Sequence, residues 1–219
     1  KILGGFQQYL RVFDLQRPGR QVEDWLLSTK KGKGQKGIIG ALTSAPLQPG
    51  LYAAGSYNRS ICLYNEGARG KAVGRLEDTE KDFTMGGVTQ LLWAGEWLLL
   101  SGHRRDKWLR AWDLRMVGGN GESQALLHRF PRSAQTHQRY QFGVEGDILT
   151  SGDDSGAVLM YSLTSLKEVG RIADAHGRPC TAAELRPTSD ASTASNLLLS
   201  SSGSRCFPNY DVDSPEPCR

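Results

Sequence analysis

The sequence lacks the run of about 18 or more apolar residues that a membrane-spanning helix requires, so we expect no membrane insertion. Its four cysteines form no C-x-x-C pair, and none has a cysteine–histidine spacing typical of zinc. We therefore expect buried, reduced thiols in an intracellular protein, with no metal and no cofactor. No secretory signal stands at the start, and Lys1 already lies inside a repeat. The chain is expected to be a piece of a longer protein.

The motifs of common enzymes are also missing. There is no G-x-S-x-G nucleophile motif, and the glycine-rich stretch 31–37 lacks the spacing of a phosphate-binding loop. Asp153 and Asp154 lack the wider ligand set of a calcium loop. The acidic stretch 77–82 is interpreted as a solvated turn. We expect no enzymatic activity.

What the chain does have is a repeat. A small-residue step, a polar turn and an apolar run with an aromatic end recur, and a partial copy opens the chain. The aromatic ends are Phe13, Tyr64, Trp112, Tyr161 and Phe207, spaced 46 to 51 residues apart. A period of this size indicates a repeat architecture.

Each repeat contains four strand-like runs, and the best copy places them at 87–93, 97–102, 109–113 and 124–130. The second run is apolar throughout, which indicates a strand buried on both faces. Four strands per repeat and the Trp-Asp end at 112–113 predict an all-β fold, a WD-repeat β-propeller. The period is longer than the usual 40–45 residues because of extended loops.

The count of copies predicts a partial ring of about four blades plus one or two strands of a fifth. The predicted units are 1–29 (the end of one blade), 30–85, 86–133, 134–177 and 178–219 (a last partial blade with the tail). The aromatic ends are predicted to pack between blades. Asp106 and Asp154 are predicted to brace turns, and His176 to be a hydrogen-bonded structural residue.

Basic and aromatic residues alternate in several predicted turns, among them 57–59, 104–110 and 137–140. Cations that bind phosphates and flat side chains that stack on bases are the components of a single-stranded RNA site. The net charge of +4 permits such a site without requiring it. From spacing alone, a protein-binding platform is favoured over RNA binding, because propellers have many unrelated functions.

An ordered series of strings is more specific than any propeller consensus. It includes RPGR at 17–20, GQKGII at 34–39, PGLYAAGSYNRS at 49–60, SGHRRD at 101–106, WDLR at 112–115, QRY at 138–140, SGAV at 155–158 and SGSRCFP at 202–208. In this order the strings resemble the telomerase Cajal body protein family, about the C-terminal half of its propeller. Tyr161 stands where that family tends to have Trp, and the closing strand of the ring is missing.

The resemblance implies a seven-bladed propeller that binds the CAB box of H/ACA small Cajal body RNAs, including telomerase RNA. It implies a nuclear, Cajal body location, a role in localising RNA–protein particles, and a role in telomerase assembly. Dyskerin-type H/ACA proteins would be partners, with telomerase reverse transcriptase as a further one. The competing hypotheses are a WD-repeat protein scaffold or ubiquitin-ligase substrate receptor, and a propeller hydrolase.

Exposed, cationic turn positions within these strings are the candidate RNA-binding residues. They are Tyr57, Arg59, Arg104, Arg105, Lys107, Arg139 and Arg205. The alternative, that several of them brace neighbouring blades through hydrogen bonds, stays open at this point.

Overall fold

The computed structural model describes residues 1–29, 34–118, 125–188 and 196–203. Its strands, in chain order, are β1 Ile2–Gly5, β2 Tyr9–Phe13, β3 Gln21–Leu26, β4 Ile39–Ser44, β5 Leu51–Ser56, β6 Ser60–Asn65, β7 Ala72–Leu76, β8 Val88–Trp93, β9 Leu98–His103, β10 Trp108–Asp113, β11 Leu126–Pro131, β12 Gln141–Glu145, β13 Ile148–Gly152, β14 Val158–Ser162, β15 Lys167–Ile172, β16 Cys180–Pro187 and β17 Asn196–Ser202. Short 3₁₀ turns follow β6 and β10, at Glu66–Ala68 and Leu114–Met116. None of the helical segments among the described residues is long and apolar enough to cross a membrane.

The strands form successive antiparallel meanders, with sheet orders β1-β2-β3, β4-β5-β6-β7 and β11-β10-β9-β8. The fourth meander, β12 to β15, continues into β16 and β17, because β12 pairs in parallel with β16 at Gln141–Ala182 and Phe142–Ala183. This architecture is the predicted partial WD-repeat β-propeller. The strands of each meander lie inside one predicted blade range, while the blade boundaries themselves stay predictions.

The opening sheet has three strands, one more than the sequence indicated. The additional strand is β3, whose sequence QVEDWL carries only Trp25 as a buried residue. Because β3 is polar and largely exposed, it has no apolar run from which a strand could be predicted. It nevertheless pairs with β2 from Tyr9–Leu26 to Phe13–Gln21.

The core lies between the faces of neighbouring sheets. Leu99 and Trp112 of the third sheet pack with Ile61 of the second, and Leu149 and Tyr161 of the fourth pack with the other face of the third. The β9 strand, LLLSGH, therefore has buried side chains facing both neighbours. Burial on both faces was predicted from its unbroken apolar run.

Tyr64, Trp112 and Tyr161 are buried and pack between blades as predicted, and each satisfies its polar atom differently. Phe13 is only partly buried, and Phe207 lies outside the described residues. Trp112 Nε1 donates to Ser101 Oγ at 2.7 Å. Tyr64 OH donates to Gln35 Oε1 at 2.9 Å, and Tyr161 OH donates to the Pro131 carbonyl. Because the tyrosine finds a buried acceptor, Tyr161 is accommodated where the resembled family tends to have Trp.

The loops that contain the candidate RNA-binding residues lie at one edge of the blades. In each meander the turn from the second to the third strand lies at this edge, together with the connection to the next sheet. We call it the turn edge; it consists of turns 57–59, 104–107 and 153–157 and connections 77–87, 132–140 and 173–179. Backbone hydrogen bonds tie these segments together, for example Arg104 N to Gly87 O at 2.9 Å and Asp154 N to Ser133 O at 2.9 Å.

Candidate functional site

Four of the seven predicted RNA-binding residues meet in one concavity at the turn edge. The cavity, of about 490 Å³, is lined by Tyr57, Arg59, residues 84–87, Arg104, Arg105, Gln135 and His137. We call it the turn-edge pocket. Its volume is within the range of about 300–1,000 Å³ that is typical of ligand sites. Lys107 and Arg139 are exposed at the turn edge but do not line the pocket. Arg205 lies outside the described residues.

The first wall of the pocket is the three-residue hairpin turn 57–59. Ser56 Oγ accepts a hydrogen bond from Asn58 N at 3.0 Å and donates one to the Lys36 carbonyl at 2.5 Å, which fixes the start of the turn. Arg59 ends the turn in the left-handed region, at φ 60°. The Tyr57 ring lies over Gly40, where any Cβ would overlap it. The turn therefore holds an aromatic ring and a cation in fixed positions.

The second wall is the β9–β10 turn, which neighbouring loops hold on both sides. Arg105 N donates to Thr136 O at 3.2 Å, and Asp106 N donates to Ala134 O at 3.1 Å. The Asp106 carboxylate accepts from Trp108 N and Gly86 N, both at 3.1 Å. Asp106 is therefore the turn-bracing residue that the sequence predicted.

The corresponding carboxylate of the next blade is Asp153 and not Asp154. Asp153 Oδ1 accepts from Ser155 N at 3.0 Å and from Ala157 N at 2.9 Å, inside its own turn. Asp154 instead accepts from Ser133 Oγ at 2.9 Å, in the adjacent loop. Between the paired strand residues Ser151 and Leu159 the chain is one residue shorter than between Ser101 and Arg110.

The two walls are joined by a cation–π contact. The Arg104 guanidinium carbon lies 4.0 Å from the centre of the Tyr57 ring, which remains 41% exposed. Arg104 Nε is buried and has no hydrogen-bond partner among the described residues. The contact holds a flat cationic group at the wall of the pocket, with an exposed aromatic ring beneath it.

The pocket is cationic because its arginines are not neutralised. None of the ion pairs found among the described residues involves Arg59, Arg104 or Arg105, and no acidic side chain lines the pocket. Arg59 also borders the acidic segment 77–80 on its other side, so its charge is the most offset of the three. Arg104 and Arg105 are the strongest candidates to meet an anion.

A second group of charged residues lies directly behind the pocket, and it is buried. Asp78 accepts from Arg110 Nε at 2.7 Å and from Arg129 Nη2 at 2.6 Å. Arg110 Nη1 donates to Asp106 Oδ2 at 2.8 Å. The side chains of Asp78 and Arg110 are completely buried. We call Asp78, His103, Asp106, Arg110 and Arg129 the buried charge network.

The interpretation of 77–82 as a solvated turn is wrong for Asp78, the centre of this network, while the other residues of the segment are exposed as it predicted. Burial alone would raise the pKa of Asp78, but the hydrogen bonds from Arg129 and Arg110 outweigh burial and lower the pKa below its usual 3.8. Arg110, counted by sequence among the basic turn residues, contributes no surface charge. Its Nη2 donates to the Phe83 carbonyl at 2.9 Å and so holds the segment that leads into the pocket floor.

Of the two polar residues in the third wall, sequence reasoning missed Gln135 and noted His137 only as part of the segment 137–140, not as a candidate RNA-binding residue. Gln135 and His137 reach the pocket from the 132–140 connection. The motif QRY at 138–140 instead indicated the three residues that follow His137. Of these, Tyr140 is buried, and Gln138 donates to the Gly203 carbonyl at 3.4 Å. Alternation of basic and aromatic residues identified the right loop, but not the side chains that face the cavity.

Comparison of the sequence with known proteins identifies relatives of the chain. No family model matches the chain. The telomerase Cajal body protein 1 of Mus musculus is 34% identical over 215 residues, 93% of this chain. The chain is a homologue of the telomerase Cajal body proteins. The Homo sapiens protein is likewise 34% identical over 93% of the chain, and the Drosophila melanogaster homologue is 26% identical over 97%.

The chain spans only 36% of the length of its mouse relative and 35% of the human one. The resemblance to the telomerase Cajal body family that the motif series indicated is thereby confirmed, and a span of this size is compatible with the predicted half of the propeller. Within the described ranges, no group of three or more His, Cys, Asp or Glu side chains is placed to hold a metal ion.

Proposed function

We propose that the chain is the RNA-binding part of a non-enzymatic WD-repeat subunit in an H/ACA small Cajal body or telomerase ribonucleoprotein. The single observation that carries this proposal is the turn-edge pocket, in which an exposed tyrosine and unpaired arginines face the same cavity. Aromatic faces for bases and cations for phosphates are what a protein needs to bind unpaired RNA.

The names of the relatives support the cellular part of the proposal. They contain the words telomerase and Cajal body, and on this basis we assign the chain to the nucleus and to Cajal bodies. The RNA element would be the CAB box of an H/ACA small Cajal body RNA or of telomerase RNA. Through it the protein would direct particles to Cajal bodies and support telomerase assembly.

The protein partners follow from the same proposal. A subunit bound to an H/ACA RNA lies beside dyskerin-type H/ACA proteins, and in a telomerase particle also near telomerase reverse transcriptase. A scaffold or a ubiquitin-ligase substrate receptor on the same fold is the competing function. Arginine and tyrosine are also enriched at the centres of protein interfaces, so an experiment and not the composition of the pocket separates the two functions.

Crosslinking of the purified particle separates the two functions. We expect ultraviolet crosslinks between RNA and peptides that contain Tyr57 and Arg104. The full-length protein with Tyr57→Ala should lose the RNA crosslinks to the peptide that contains residue 57. Tyr52→Ala serves as a control, because Tyr52 lies in the core between the first two blades. Crosslinks at the turn edge to protein alone would instead support the scaffold.

A further inference from the structure

The base that enters the turn-edge pocket can be inferred from the hydrogen-bonding chemistry of Arg104. Its guanidinium lies against the Tyr57 ring at 4.0 Å, so its orientation is constrained by the ring. Its Nε is buried. The two terminal nitrogens are therefore the edge that is left to meet a ligand, and both are donors only.

A pair of parallel donors matches one base better than the others. Guanine has two adjacent acceptors, O6 and N7, on a single edge. Adenine has a donor beside N7, and cytosine has an amino donor in the equivalent position. Uracil offers one carbonyl there. An arginine that has no acceptor of its own would therefore leave an adenine or cytosine amino group without a partner.

The surroundings of Arg104 fit a base that pairs with the guanidinium. The Tyr57 ring supports the guanidinium from one side, and Tyr57 itself lines the same cavity. Met85, itself buried, and the backbone of Gly86 and Gly87 form a floor without charge. Gln135, whose amide oxygen is an acceptor, lines the far wall, and an acceptor there suits the N–H groups of guanine.

The arginine adjacent to Arg104 is placed to meet a phosphate. Arg105 lines the same pocket, and its side chain is exposed and makes no ion pair with any described residue. An exposed cation without an acidic partner is what a backbone phosphate needs.

We infer that the turn-edge pocket binds one unpaired guanine of the RNA, with Arg104 donating to O6 and N7 and the Tyr57 ring holding the Arg104 guanidinium in place. Arg105 contacts the phosphate next to that guanine. The inference rests on the proposed RNA-binding function and specifies which base the pocket selects.

The test measures the affinity of the full-length protein for uridine oligonucleotides that carry one central variable base. Guanine should bind about 5- to 100-fold more tightly than adenine, the discrimination that one bidentate arginine–guanine pair gives. Inosine, which keeps O6 and N7, should bind like guanine. 7-Deazaguanine, which lacks the N7 acceptor, should lose most of the preference.

The matched variants are Arg104→Gln and Arg69→Gln. The glutamine amide offers one donor and one acceptor, the pair that matches adenine and not guanine, so Arg104→Gln should abolish the guanine preference. Arg69 is exposed and lies at the opposite edge of the blade, and its variant should keep the preference.

Equal affinity for guanine and adenine, or a guanine preference that survives Arg104→Gln, would overturn the inference and leave the proposed RNA binding standing. An absence of binding to every oligonucleotide, and to a CAB-box hairpin as well, would overturn the proposed function itself.

Discussion

The β9–β10 hairpin carries two kinds of arginine only a few residues apart. Arg104 and Arg105, in the turn, make no ion pair among the described residues and line an open pocket. Arg110, on the strand, is completely buried and bonded to Asp78 and Asp106. The comparison shows that the number of basic residues in a segment does not measure the charge that it presents. Only the first kind can meet a ligand at the surface, such as the proposed RNA, and the second holds the hairpin in place.

The largest effect on stability is expected when the buried kind of arginine loses its partner Asp78. Asp78→Ala leaves Arg110 and Arg129 without their shared carboxylate, and removing one partner of a buried pair costs about 3–5 kcal/mol. Urea unfolding of the full-length protein should show this decrease in the free energy of unfolding. Glu80→Ala is the control, because Glu80 is exposed and contacts only Arg129, at 3.0 Å; its cost should stay below about 1 kcal/mol. Similar stabilities of the two variants would contradict a structural role for the buried charge network.

A smaller effect on the free energy of unfolding is expected from pH, through His103 of the buried charge network. Burial and the neighbouring charges of Arg110 and Arg132 hold the pKa of His103 well below its ordinary 6.5. The unfolded chain therefore takes up this proton first, and stability is lost as pH falls through 6.5. Between pH 7.5 and 5.5 the contribution of His103 should fall by on the order of 1 kcal/mol.

The control for this pH effect uses a second histidine. His103→Gln should flatten that part of the pH profile. His176→Gln should not, because His176 is only partly buried and bonds to Ser200 Oγ at 2.9 Å. Identical pH slopes in the wild type and His103→Gln would contradict a buried neutral imidazole.

The smallest change in stability is expected at the turn arginines. Arg105 and Arg69 both adopt the left-handed region, at φ 52° and 42°, on opposite edges of the blades. Glycine relieves this conformation but loses more entropy on folding, so each Arg→Gly change should leave stability equal or raise it by up to about 1 kcal/mol. Only Arg105→Gly should weaken RNA binding. Equal RNA affinity of the two variants would remove Arg105 from the site.

The sequence predicted the features that depend on local pattern. Apolar runs with small-residue steps place strands such as β9 and β10 correctly, because burial on both faces leaves a continuous apolar signature. The two strands also fix the position of the turn between them. The arginines of this turn were identified as candidate site residues because a chain that reverses between two buried strands does so at the surface.

What the sequence could not show are pairings over long separations. Asp78 is 32 residues from Arg110 and 51 from Arg129, and nothing local marks it as buried. The contact between Arg104 and Tyr57 joins different blades, so the flat cationic wall of the pocket exists only after the blades stack. The polar strand β3 was missed because its pairing with β2, and not its composition, makes it a strand.

The most direct test of the account is the affinity of the full-length protein for a CAB-box hairpin RNA at matched salt. Arg104→Ala with Arg105→Ala should weaken binding by about 10-fold or more, while the unfolding midpoint stays unchanged. The salt slope should fall by about 0.7 for each phosphate that the variant no longer neutralises. Arg69→Ala should match the wild type in both measurements. Unchanged RNA affinity in the double variant would contradict the assignment of the turn-edge pocket as the RNA site.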